Sequence, residues 1–143
     1  MTIMPDDYDE KVLFPKLLFV FPLLFVLISC EKPLDTVVDI SGRWTGTVTN
    51  FVDIGDGSTP ITILFEQDEE LLAGVLTTGL GDRYEFTGSI LRDDIFFYWR
   101  NSVDEIDHRF TGLFMGRTIS GTWRMGDTKS FETLRDGQWT ITR

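Results

Sequence analysis

The sequence predicts an all-β fold: a single antiparallel, up-and-down, eight-stranded barrel, preceded by an export signal. Two observations carry this. The pattern of apolar residue, glycine, apolar residue recurs on alternate positions as Trp44-Gly46-Val48, Phe86-Gly88-Ile90, Phe110-Gly112-Phe114 and Ile119-Gly121-Trp123, with threonines, serines and charges on the opposite parity. A period of two belongs to a strand, whose successive side chains point to opposite faces. The apolar stretches are also joined by short, turn-rich connections with no helical pattern, whereas parallel pairing needs crossovers of a dozen residues or more. A chain of 143 residues, 42% of them hydrophobic, has room for one domain with one core.

The chain begins with residues 1–29, in which Lys16 is followed by an apolar run over 17–28 that is interrupted by Pro22 and stops at Ser29-Cys30. At about 1.5 Å per residue that run spans roughly 18 Å as a helix, short of the roughly 30 Å hydrocarbon core. It therefore fits the apolar region of a secretory signal rather than a membrane span. Its ending, Leu27-Ile28-Ser29-Cys30, resembles the lipobox of bacterial lipoproteins. That resemblance implies cleavage before Cys30, lipidation of the Cys30 sulfur, and attachment of the mature chain to a membrane of the bacterial cell envelope, the outer membrane in the first instance. Cys30 is the chain's only cysteine, so a lipidated Cys30 leaves no thiol for a disulfide, a nucleophile or a metal site. The formal net charge is −10, and the four acids and two lysines of residues 1–29 account for only a small part of it. Phosphate binding needs a basic face, so nucleic acid is excluded as a partner.

Residues 30–40 form a short tether, in which Glu31-Lys32-Pro33 is followed by an apolar lead-in expected to plug one end of the fold. The barrel domain is expected over 41–143. Strands are predicted at 43–52, 61–67, 71–78, 83–91, 95–100, 108–115, 119–125 and 138–143. The fifth, Ile95-Phe96-Phe97-Tyr98-Trp99, is apolar on both faces, so its outer face calls for cover, expected from the segment around Phe131. Residues 126–137 read equally as a loop, a short helix or an extra strand turned through Asp136-Gly137. An eight-stranded meander closes readily, and its interior is filled by side chains or holds one small ligand. The inward glycines allow strong coiling or leave space inside.

Gly42-x-Trp44, opening the first strand, resembles the signature of lipocalins and their calycin relatives. Gly121-x-Trp123 and Gly137-x-Trp139, with a terminal Arg143, are similar to the ending of lipocalin-like bacterial lipoproteins. The resemblance implies a lipocalin-like barrel whose closed end holds Trp44 beneath Arg143, with cation–π packing as the physical reason. It also implies a small hydrophobic or amphiphilic ligand in the interior. The candidate ligand-binding residues are then Trp44, Phe86, Phe97, Trp99, Phe110, Phe114 and Trp123. Avidin-like barrels and barrel-shaped bacterial protease inhibitors carry similar openings, which leaves a protein-interaction or inhibitor module with a filled core as the alternative.

Nothing in the chain calls for a cofactor, a metal or an enzyme's machinery. His108 is the only histidine; beside Asp104, Glu105 and Asp107 it reads as a surface or hydrogen-bonded residue. Asp53, Asp56 and Gly57 lack the alternating ligands and closing glutamate of a calcium loop. No serine sits in a nucleophile elbow, and no phosphate loop is present. The connections differ between the two ends: tight at 68–70, 92–94 and 116–118, longer at 53–60, 101–107 and 126–137, with 79–82 short on that same side. The long ones carry Asp53, Asp56, Asp82, Asp104, Glu105, Asp107 and Asp127, an acidic rim that attracts cations. A site is expected at this rim and in the aromatic interior beneath it.

Overall fold

Alternation persists through all eight strands, and the strands close on themselves. The computed structural model describes residues 36–51 and 57–143. The chain separates into two units, Met1–Glu31 and Lys32–Arg143. The first lies outside the described residues, and with it Cys30, the signal-peptide expectation and the lipobox; Asp53 and Asp56 lie outside them too. The strands are β1 (Gly42–Thr49), β2 (Ser58–Asp68), β3 (Leu71–Thr78), β4 (Arg83–Leu91), β5 (Asp94–Asn101), β6 (Ile106–Met115), β7 (Thr118–Asp127) and β8 (Thr133–Thr142). Each pairs antiparallel with the next, and β8 returns to β1 through Gly46 opposite Ile141 and Val48 opposite Trp139, giving a closed barrel. Closure leaves no sheet edge to template association.

The strand boundaries depart from the sequence expectation mostly at the loop-bearing end. β1 stops at Thr49 rather than at residue 52, because Asn50 takes a left-handed φ of 57°, a conformation asparagine tolerates better than most residues. β5 and β6 extend toward each other until only 102–105 connects them. β7 and β8 extend likewise, so 126–137 is mostly strand. The turn of that hairpin falls at 128–132 rather than at Asp136-Gly137, and Asp127 Oδ1 holds it by accepting from the Lys129 and Ser130 amides at 2.7 and 3.4 Å. The common cause is that paired backbone satisfies N–H and C=O groups that a loop of polar residues leaves to water.

Inward positions build a core of Trp44, Ile63, Phe65, Leu76, Phe97, Phe110, Trp123, Trp139 and their neighbours, each nearly inaccessible to solvent. Of Trp44, Phe86, Phe110, Phe114, Ile119 and Trp123, which the alternation leads one to expect inside, all are buried except Phe114, which is half-buried at the edge of the Trp44 ring. The glycine question resolves toward coiling at Gly46, where an added Cβ would lie 1.9 Å from the Thr140 carbonyl oxygen. At Gly112 the space is taken by the Trp139 ring, 2.6 Å from the position of a Cβ. Neither glycine leaves a void.

The tight-turn end is closed. Ile40 is fully buried, with Val37 and Val38 packed on the core. Gln67 clamps this lead-in, accepting from the Ile40 amide at 2.8 Å and donating to the Val38 carbonyl at 2.9 Å. Trp44 Nε1 donates to the Ile40 carbonyl at 2.8 Å, and the Arg143 guanidinium lies 5.6 Å from the Trp44 ring centroid while donating to the Ser41 carbonyl. The Trp44–Arg143 pairing implied by the resemblance is thus present. The expected cover of β5 is not: Phe131 is 85% exposed, and Phe96 and Tyr98 stack on each other at 5.7 Å with 36% and 41% exposure on the outer wall. Phe131, with φ 58°, belongs to the tight β7–β8 turn.

Candidate functional site

At the loop-bearing end the barrel wall turns from aliphatic to aromatic. Tyr84 of β4, Trp99 of β5, His108 of β6 and Trp123 of β7 all take the inward parity of their strands. Cross-strand register sets His108 directly opposite Trp99, so the imidazole stacks on the indole at 4.8 Å with an interplanar angle of 9°. Tyr84 stacks on the other side of Trp99 at 4.9 Å. These four rings form a box whose floor is Phe110, 5.4 Å from Trp99 and 6.0 Å from Trp123.

The box is occupied by a ring of the chain itself. Phe51 lies edge-on to Trp123 at 5.0 Å, to Tyr84 and Phe110 at 6.0 Å, to Trp99 at 6.2 Å and to His108 at 6.3 Å. Aromatic rings prefer this edge-to-face geometry at 4.5–7 Å, each pair adding about 0.5–1.5 kcal/mol beyond its area. Phe51 is not part of the wall. It follows β1, and its approach is set by Trp123 Nε1 donating to the Thr49 carbonyl at 2.8 Å, by the left-handed Asn50, and by Asn50 Nδ2 donating to the Asp136 carbonyl at 2.8 Å. The left-handed residue reverses the alternation, so Phe51, outward by simple parity from Trp44 and Val48, points in.

His108 carries the one buried side-chain polar atom without a hydrogen-bond partner among the described residues, its Nδ1. Burial pushes the imidazole pKa down, against a smaller upward pull from the Asp107 charge, so the ring is neutral at pH 7. Burial, and secondarily the Asp82 charge, pushes the Tyr84 hydroxyl up, so it too stays neutral.

The acidic rim is less free than the sequence implied. Asp107 is a strand residue, 5% exposed, rather than a loop carboxylate. On the outer wall it accepts from Arg100 Nε at 2.7 Å and from Arg109 Nη2 at 3.0 Å. The Arg100 hydrogen bond, with Arg109 behind it, holds its carboxyl below the usual carboxylate range despite burial. This is a correction with a plain cause: β5 and β6 extend past the expected loop and bring Arg100 opposite Asp107. Asp104 accepts from Asn101 at 2.9 Å, Glu105 pairs with Lys129, and Asp127 caps its turn. Those carboxylates order the loops they sit in.

The seven candidate ligand-binding residues spread along the barrel axis rather than meeting at one place. Trp44 and Phe114 lie at the closed end, 6.2 Å apart. Phe86, Phe97 and Phe110 pack the middle, at 4.4 Å between Phe86 and Phe97 and 4.8 Å between Phe97 and Phe110. Trp99 and Trp123 stand in the wall of the box at the mouth, with Phe110 as its floor. Sequence reading missed Phe51, Tyr84 and His108. The shared parity of Tyr84 with Phe86, and of His108 with Phe110, was a usable signal; Phe51 gave none.

The fold is a closed eight-stranded antiparallel barrel, and solved structures similar to it are avidin-like. The bradavidin2–biotin complex superposes with a TM-score of 0.53 at 15% identity, over 74% of this chain and 98% of that one. Apo bradavidin2 gives 0.51 at 15% identity over the same shares, and apo shwanavidin 0.48 at 17%, over 74% and 97%. At these identities the likeness is one of fold. No protein-family profile matches the chain, and no curated protein does.

Proposed function

We propose that this chain is a lipid-anchored binding module that takes a small, flat, apolar ligand at the loop-bearing end of its barrel. The observation that carries this reading is Phe51: a ring supplied by a loop, outside the wall, fills an aromatic box at 5.0–6.3 Å. A ligand ring of similar size makes the same contacts once Phe51 swings out. Below the box Phe97, Phe110 and Trp139 pack at 4.8–5.7 Å, so the ligand reaches no deeper than about one ring system. The bradavidin2 structure contains biotin, a small ligand in a barrel of the same fold; that agrees with the reading without fixing the ligand here.

The test is native mass spectrometry of the full-length protein extracted in mild detergent, with naphthalene titration followed by tryptophan emission. A retained small-molecule adduct, or saturable quenching that weakens in Trp99→Ala, is expected. Empty protein with no saturable quenching overturns the reading. It then favours the interaction-module alternative, for which the outer wall offers a groove of about 600 Å3 lined by Phe96, Arg109, Thr111, Thr122, Arg124 and Gln138.

The anchor in this proposal is Cys30. A lone cysteine placed where a short apolar run ends supports it. Residues 36–40 enter β1 at the closed end, so in this proposal an anchor at Cys30 tethers that end toward the membrane. Cys30→Ser is expected to abolish labelling by a palmitate analogue and to release the protein or leave it unprocessed. Labelling that persists in Cys30→Ser sinks the anchor without touching the binding site.

A further inference from the structure

We infer that the ligand of the mouth is a flat heteroaromatic ring bearing an N–H or O–H donor, which donates to His108 Nδ1 when the ring replaces Phe51. This rests on the binding reading above and goes beyond it by assigning the ligand's polar edge. Buried polar atoms in folded proteins are almost always hydrogen-bonded, and an exception marks strain, function or a missing partner. His108 Nδ1 is such an exception, and it occurs on the wall of the aromatic box rather than at a random place in the core.

The atom's chemistry follows from its surroundings. The imidazole is neutral, so one nitrogen carries a proton and the other a lone pair. Nδ1 has no acceptor to hold a proton, and an unpaired buried donor is rarer than an unpaired buried acceptor. The proton therefore sits on Nε2, and Nδ1 presents its lone pair. Phe51, whose ring lies 6.3 Å from the imidazole, has no polar hydrogen to give it. Phe51 thus satisfies the apolar demand of the box and leaves its polar demand unmet. A ring with a donor on its edge satisfies both, and that difference lets a ligand displace a tethered competitor. Phe51 also sets the apparent affinity, since the competent state is the one with its ring out of the box.

Indole and benzofuran separate these demands, being near-isosteric with an N–H in one and an oxygen in the other. Calorimetric titration of the full-length protein in detergent is expected to show both probes binding Phe51→Ala more tightly than the wild type. Indole should bind Phe51→Ala about tenfold more tightly than benzofuran, the ratio one hydrogen bond to a buried acceptor supports. His108→Phe in that background should bring the ratio within about twofold. Because the chain has a single histidine, its imidazole 15N resonances give a second readout without any substitution at that position: Nδ1 should shift with indole and stay with benzofuran. Equal affinities and unmoved 15N resonances overturn the donor assignment while the flat-ligand reading stands. Binding of neither probe by folded Phe51→Ala overturns both.

Discussion

Replacing Trp44 with Ala should lower the stability of the barrel by about 3 to 5 kcal/mol, the range for removing a large packed ring. Trp44 is 1% exposed and holds three things at once. Its Nε1 donates to the Ile40 carbonyl at 2.8 Å, its face receives the Arg143 guanidinium at 5.6 Å, and its edge meets Phe114 at 6.2 Å. Truncation leaves a cavity, an unpaired Ile40 carbonyl and an arginine with nothing beneath it. The lead-in over 36–40, which caps this end, then loses one of its two polar clamps and depends on Gln67 alone. Denaturant titration reads the effect as a lowered midpoint with an unchanged slope. Trp44→Phe separates the contributions, since it keeps most of the ring and loses the hydrogen bond; it should cost about 1 to 2 kcal/mol. An unchanged midpoint in Trp44→Ala would show that the closed end is not packed as described.

The same tryptophan shows what could be read before the structure. Its place at the closed end followed from a short motif and a terminal arginine, and the side-chain parity of the strands followed from alternation alone, because alternation reports directly which face is wet. The mouth was hidden for a different reason. Its occupant, Phe51, follows Asn50, and one left-handed residue moves a side chain from one face to the other without disturbing the composition that parity reads. His108 shared a parity with Phe110, yet Asp104, Glu105 and Asp107 around it made the stretch look like a wet loop. Those acids look loop-like in sequence because the ion pairs that let Asp107 be buried, with Arg100 and Arg109, are made across and along strands whose lengths the sequence left short. Hairpin length is settled by how far two backbones continue to pair. A polar residue whose outward partner is an arginine on the next strand does not stop them.

Barrel closure supplies the other large effect. Gly46→Ala is expected to destabilise the domain by about 3 kcal/mol, the upper part of the range for overpacking, and to lower its melting temperature by on the order of 10 °C. Intrinsic propensity alone gives the opposite sign, since glycine inside a strand is unfavourable relative to alanine by roughly 0.5–1 kcal/mol. Geometry decides between them. A Cβ at Gly46 would lie 1.9 Å from the Thr140 carbonyl oxygen and 2.7 Å from Ile141 Cα, both backbone atoms that cannot rotate away. The only relief is for β1 and β8 to separate, and their pairing runs over just four registered positions, Thr45 to Val48. Opening that seam exposes two strand edges and unseats Trp139, which lies opposite Val48. Amide hydrogen exchange should therefore quicken first in β1 and β8 of Gly46→Ala, with β4 and β5 on the far wall least affected. Gly116→Ala is the comparison: its φ is +68° but nothing lies within 4 Å of an added Cβ, so backbone strain of about 1–2 kcal/mol is its only cost and the seam stays shut. A Gly46→Ala protein as stable as the wild type, with unchanged exchange in β8, would mean that the barrel is not held closed by close approach of β1 to β8 at this residue.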